Sequence, residues 1–206
     1  MIATILALGC TPEVVAPAPE PVEPEDSAAP VDPMVGPQNR WPHALQSQLP
    51  PWGILGDGWD DGDLAFDFIG VDQYGDEVSL YQFYGRPMVV SLVYNGCAPC
   101  SPATNEHEAF WAANNTLPLM TITILLALPD ASLATAAQAN SWGGLHFATH
   151  PVLADTTGVL TEWAAHGIPG AVLIDWDLRI VESEFDPPDY NQLLFLSEDA
   201  PGTYGP

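Results

Sequence analysis

The chain has 206 residues with 47% hydrophobic side chains, enough to bury the core of one domain and too many for a wholly disordered chain. Acidic residues outnumber basic ones 27 to 3, giving a formal net charge of −24; the cations are Arg40, Arg86 and Arg179, and lysine is absent. Such a surface repels nucleic-acid phosphates and anionic headgroups, and without lysine neither Schiff-base chemistry nor a Walker-type phosphate loop is available. Three cysteines, two of them close together, do not make a disulfide-stapled miniprotein.

Residues 1–9 are read as the remnant of a signal peptide. Ile2 to Leu8 are almost entirely apolar and lead into Ala7-Leu8-Gly9-Cys10. A short greasy run, a small residue and then cysteine resembles the lipobox of bacterial lipoproteins, which implies cleavage before Cys10 and a diacylglycerol on its thiol. Ala7 stands where that motif usually has leucine, and the basic segment of a secretory signal is missing, so the expected start lies upstream of Met1.

Residues 10–55 are predicted to be a tether. Of the 22 prolines, 11 fall between Pro12 and Pro51, interleaved with Glu13, Glu20, Glu23, Glu25, Asp26 and Asp32. Dense proline favours polyproline II, and like charges extend the chain further. No later stretch has the ~20 apolar residues of a membrane-crossing helix, so any attachment to a membrane is expected through the N-terminal lipid alone. Arg40 to Trp59, with three tryptophans among prolines and glycines, is expected to be irregular and to drape onto the domain.

Residues 56–197 read as an α/β domain, followed by a tail over 198–206. Leu64 to Ile69, a turn over Gly70 to Gly75, and Val78 to Leu80 predict an N-terminal β-hairpin. Met88 to Tyr94 and Leu119 to Leu128 are buried-strand runs, with a helix between them from Pro99 to Ala113. A helix is expected over Ala131 to Ala139, then an extended piece His150 to Leu153. A further helix is expected over Thr156 to His166, with Thr156 or Thr157 as its cap. Ala171 to Ile174 and Leu178 to Val181 predict a hairpin, and Pro188 to Leu196 a last helix. This order defines a central mixed sheet flanked by helices.

Cys97-Ala98-Pro99-Cys100 falls where the first buried strand hands over to the first helix. The unpaired N–H groups and the dipole of a helix N-terminus stabilise a thiolate, which makes Cys97 the attacking nucleophile. Cys100, three residues on, shares its helix face and lies within reach of a disulfide, which makes it the more buried, resolving thiol. Pro99 suits the first helical turn, where its missing N–H costs nothing.

Far along the chain, Gly167-Ile168-Pro169-Gly170 runs directly into the strand at Ala171. With the cysteine pair, this resembles the thioredoxin superfamily, and the order of blocks is similar to the membrane-anchored TlpA/ResA-type thiol–disulfide oxidoreductases. Those blocks are Val78-Ser79-Leu80, Gly85-Arg86-Pro87-Met88-Val89-Val90, Cys97 to Cys100, Pro151 to Asp155, and Ile168 to Asp175, together covering about Asp63 to Leu196. The resemblance implies a thioredoxin-like fold with an N-terminal hairpin extension, catalytic Cys97 and Cys100, and a cis-proline at Pro169. By that likeness Pro169 keeps metal from bridging the thiols, and the Ile168 backbone, beside Pro99, pairs with an extended substrate. It also implies no organic cofactor, protein thiols as substrates, an upstream electron donor, a monomer, and a place on the periplasmic or outer face of a bacterial membrane. Proline before the second cysteine leans towards a reductant.

The sequence departs from that pattern in three places. Gly96, preceded by Asn95, stands where tryptophan is usual, removing part of a substrate platform. Ser91 replaces the buried aspartate of thioredoxins, and Ala103 replaces a glutamate frequent in the TlpA/ResA type. Glu106, a turn further along, is the remaining candidate for moving protons to and from Cys100.

The alternative is a copper-carrying, Sco-like protein using Cys97, Cys100 and His166 or His107, although those carriers use one more residue between the cysteines. Surface or capping roles are the default for His107 and His166, and His43, His146 and His150 read as structural. A peroxiredoxin would need threonine where Tyr94 stands. Asp57, Asp60, Asp61 and Asp63 lack the register of a calcium loop and read as a solvated face. A redox-inactive scaffold with a sealed disulfide is the third class.

Overall fold

A computed structural model describes residues 38–43, 56–126, 132–161, 167–183 and 188–200, all within the unit Val31–Pro206. Residues 1–37, Cys10 and the signal remnant among them, lie outside the described residues, as do 162–166, the end of the expected helix with His166. Among the described residues, no helix is long and apolar enough to cross a membrane.

The sheet is built outward from its most apolar strands. β3 (Met88–Val93) and β4 (Met120–Leu125) are buried at every position and pair in parallel from Met88 opposite Met120 to Val93 opposite Leu125. Runs rich in β-branched residues on both faces suit only the centre of a covered sheet. β5 (Val152–Ala154) continues the parallel set beside β4. On the other flank β6 (Gly170–Ile174) runs antiparallel to β3, and β7 (Ile180–Glu182) antiparallel to β6. The hairpin of β1 (Ile69–Asp72) and β2 (Glu77–Ser79) joins at β5, giving the order β2-β1-β5-β4-β3-β6-β7. The helices α1 (Cys100–Asn114) and α2 (Ala136–His146) supply the crossovers from β3 to β4 and from β4 to β5. α3 (Tyr190–Glu198) closes the domain, its Asp189 carboxylate accepting from the N–H groups of Asn191 and Gln192.

Three predicted elements are displaced. The first strand of the hairpin begins at Ile69, not Leu64; Leu64 and Ala65 make only isolated bridges, to Arg179 and Gly58. Asp72 decides this, because its buried carboxylate accepts from the N–H groups of Tyr74 and Asp76 and folds the turn beyond Gly70. The second helix starts at Ala136, not Ala131, and runs on to His146. Thr135 and Gln138 close a capping box there, each side chain accepting from the other's backbone N–H. Beyond β5, the described chain holds a 3-10 turn at Val159–Thr161. Its cap is Asp155, not a threonine: the buried carboxylate accepts from the N–H groups of Thr157, Gly158 and Leu160 at 3.1, 2.7 and 3.0 Å.

Trp41, within the stretch read as tether, enters the main core. Its Nε1–H donates to Asp72 Oδ2 at 2.7 Å, and the neighbouring Arg40 guanidinium lies 3.4 Å over the Tyr74 ring. A buried indole and a stacked cation hold this piece of chain on the hairpin.

Candidate active site

β3 ends at Val93, and the chain turns through Tyr94 to Cys97, whose N–H donates to the Tyr94 carbonyl at 3.2 Å. Gly96 takes φ +92° in this turn, a region costly for a residue with a Cβ. A tryptophan at this position would meet that cost, which gives the Gly96 departure a local cause. Cys100 N–H then donates to the Cys97 carbonyl at 3.2 Å and α1 begins, with Pro99 at its N-cap making no side-chain hydrogen bond. Of the four donors at this helix end, Pro99 and Pro102 have no N–H and that of Cys100 is used, so the Ser101 N–H is the one presented beside the pair.

Cys97 and Cys100 form a disulfide, Sγ–Sγ 2.02 Å, with Cα atoms 5.3 Å apart. Cys97 is 5% exposed and Cys100 0%, so the order of burial is the expected one, but Cys97 is a narrow window and not an open thiol. The pair belongs to an apolar cluster of Val93, Leu125, Ala139, Trp142, Val152 and Ala154 among others. β6 enters this end of the sheet because Gly170 pairs with Leu92 at the end of β3. The residues just before it are thereby brought to the cysteines: Ile168 packs on their cluster, and the Ile168–Pro169 peptide bond is cis. Pro99, Ala98 and Gly96 lie exposed around the disulfide. No charged residue occurs in the sequence between Arg86 and Glu106, so this rim is neutral on a strongly acidic chain.

Other candidates fall elsewhere. Glu106 is exposed, on the outer side of α1, while Cys100, Ala103, Thr104, His107 and Trp111 form its buried face. Ser91 is buried, with no carboxylate in its place. His107 is neither a surface nor a capping histidine. It is buried two turns along from Cys100, its ring edge-on to Tyr190 and 6.3 Å from His150, with no hydrogen-bond partner at either ring nitrogen among the described residues. Burial, reinforced by His150, pushes it from 6.5 down to about 3, so it is neutral. His150 bonds Glu108 Oε2 through Nδ1 at 2.8 Å and Thr123 Oγ1 through Nε2 at 2.9 Å, and His146 Nδ1 bonds Asn105 Oδ1 at 2.9 Å. These two are structural contacts between α1 and its neighbours. Among the described residues, no group of three His, Cys, Asp or Glu side chains is set to hold a metal ion.

Two residues near the pair carried no sequence signal of their own. Thr104 Oγ1 donates to the Cys100 carbonyl at 3.0 Å, and Trp142 Nε1–H donates to Thr104 Oγ1 at 3.1 Å. The capping box at Thr135 was the legible clue, because a helix started there carries Trp142 onto the inward face.

A sheet of parallel and antiparallel strands with a disulfide where β3 meets α1, and a proline-led β6 beside it, is the thioredoxin-like fold. No protein-family model matches the sequence, and no curated protein does. Solved structures do match. The thioredoxin domain of a thiol-disulfide oxidoreductase from Bacteroides vulgatus superposes with TM-score 0.57 at 20% identity, over 68% of this chain and 99% of that one. A thiol:disulfide interchange protein of the thioredoxin family from Chlorobium tepidum gives 0.54 at 15%, over 68% and 98%. A secreted Mycobacterium tuberculosis disulfide oxidoreductase, homologous to E. coli DsbE, gives 0.50 at 16%, over 64% and 95%. At these identities the likeness fixes the fold.

Proposed function

We propose that this protein is a thiol–disulfide oxidoreductase acting on protein substrates outside the cytoplasm. The observation that carries the reading is the Cys97–Cys100 disulfide at the uncapped start of α1, within the fold shared by the oxidoreductases above. In the reducing direction, the Cys97 thiolate attacks a substrate disulfide. One substrate sulfur leaves as thiolate and a mixed disulfide to Cys97 forms. The Cys100 thiolate then attacks Cys97 Sγ, displacing the second substrate sulfur and closing the Cys97–Cys100 bond. Two electrons pass to the substrate, whose two thiolates take up protons, and an external dithiol donor resets the pair. The helix N-terminus favours charge on Cys97 against the cost of its apolar surroundings, and the neutral rim with Ile168 and Pro99 receives the substrate segment.

Direction, anchorage and place extend this reading. Pro99 before Cys100 leans towards a reductant. A Cys10 lipid and the acidic, proline-rich tether would hold the domain away from a bacterial membrane on its periplasmic or outer face. Glu106, facing solvent, would exchange protons only through water.

The test is turnover of a disulfide substrate with a dithiol donor. Cys97→Ser abolishes it, by at least about a thousandfold, because the attacking sulfur is gone. Cys100→Ser still attacks and accumulates a mixed disulfide with substrate, visible by mass. Equal turnover in wild type and Cys97→Ser ends the proposal.

A further inference from the structure

Trp142 lies on α2, 42 residues beyond Cys100 in sequence, yet its indole packs in the same apolar cluster as both cysteines. It is buried, and its one donor is directed to a single acceptor, Thr104 Oγ1, at 3.1 Å. That hydroxyl, itself fully buried, passes its own hydrogen to the Cys100 carbonyl at 3.0 Å. The carbonyl belongs to the first peptide unit of α1, whose other end is the Ser101 N–H. In the first turn of a helix that N–H has no intrahelical acceptor and points out of the N-terminus, the direction in which Cys97 precedes the helix.

From this arrangement we infer that Trp142 and Thr104 are positioning residues for the dithiol, a relay that strengthens the Ser101 N–H at the start of α1 towards the Cys97 thiolate. The inference rests on the activity proposed above. Hydrogen bonds in series polarise one another, and more so where water is excluded. Donation into the Cys100 carbonyl makes the amide on the far side of the same peptide unit a better donor. It also fixes the first turn against α2, so the Ser101 N–H holds its aim when the disulfide opens. In a chain that lacks the buried carboxylate at Ser91, this neutral relay is the polar structure that reaches the pair from inside the domain. Its loss leaves the thiolate less stabilised and the dithiol more reducing.

The experiment follows the alkylation of Cys97 against pH in fully reduced, full-length protein, reading the Cys97 peptide by mass so that Cys10 does not interfere. Trp142→Phe keeps an aromatic ring and removes the donor; Thr104→Val removes the hydroxyl at constant shape; Thr104→Ser restores it. The pH midpoint of alkylation rises in Trp142→Phe and in Thr104→Val, slowing alkylation below the midpoint by about threefold or more, and returns in Thr104→Ser. Loss of packing alone would lower thermal stability without moving that midpoint. An unmoved midpoint in folded Trp142→Phe overturns the inference even if Thr104→Val does not fold. If wild-type Cys97 alkylates as an ordinary thiol, with a midpoint near 8.5, and gives no turnover, the proposed activity fails first and this inference with it. A low wild-type midpoint with turnover, unchanged in both variants, overturns the relay alone.

Discussion

Gly96 shows how one backbone angle shapes this site. Its φ of +92° lets the chain fold from β3 into the cysteine turn, and a Cβ there would touch nothing within 4 Å. Space is therefore open and conformation is the constraint. Gly96→Ala is expected to destabilise the domain by about 1 kcal/mol through the positive φ alone. Urea unfolding monitored by circular dichroism measures it; a neutral or stabilising result would mean that the turn does not hold this conformation in solution. Cys97, three-quarters of a turn from the helix proper, illustrates a related point. Its spacing to Cys100 was legible, but how little of it reaches the surface depends on Ile168 and Trp142, which arrive from remote parts of the chain.

At the scale of elements, α1 is held by polar contacts that its sequence does not announce. Thr104 meets Trp142, Asn105 meets His146, and Glu108 meets both His150 and Thr149, so one face of α1 is fastened to α2 and to the segment before β5. Buried His107 sits beside these contacts without a hydrogen bond of its own. Its pH behaviour follows from burial. The folded protein keeps it neutral down to about 3, whereas the unfolded chain protonates it near 6.5. Between those values the unfolded state binds more protons, so stability falls as pH drops from 6.5, by up to about 1.4 kcal/mol per pH unit for one such group. His146, lowered by burial and by His150, contributes with the same sign. Burial raises Glu108, but hydrogen bonds from His150 and Thr149 outweigh it and its net shift is downward, so its contribution is present above 4.5 and lost below. Urea midpoints at pH 7.0 and 5.0 should therefore differ clearly in wild type and less in His107→Leu. Equal slopes in the two proteins would show that His107 is not the group responsible.

For the whole molecule, charge is the dominant fact. A net charge of −24 with three arginines leaves most carboxylates without a cationic neighbour. Arg40 lies 3.7 Å from Asp76 at the surface, and Arg179 donates to the Gly62 carbonyl. Crowded like charges oppose the compact state, and salt screens them within about 10 Å at 0.1 M. The melting temperature is expected to rise by about 5 °C between 10 mM and 0.5 M sodium chloride. Calorimetry at the two salt concentrations checks this; a flat or falling response would place the acidic groups too far apart to repel. The stretch from Pro87 to Asn105 that carries the cysteines adds no charge of its own to that field.

What the sequence determined by itself is local in origin. The all-apolar runs of β3 and β4 could only be central strands, and the cysteines at a strand-to-helix junction could only sit at a helix N-terminus. Each signal lies within a few residues of the feature it creates. Where nearby signals competed, the Thr135 capping box prevailed over alanine content, and the Asp72 turn over the apolar stretch at Leu64. Tertiary structure alone decided which side chains meet the dithiol. The antiparallel register of β6 on β3 delivers Ile168, and the crossover through α2 delivers Trp142 to Thr104. It also decided that His107 is buried without a partner, because packing by α3 and the strands closes over a helix face whose own sequence is only weakly apolar. Such contacts depend on how distant segments share volume and hydrogen bonds, and no neighbouring residue encodes that.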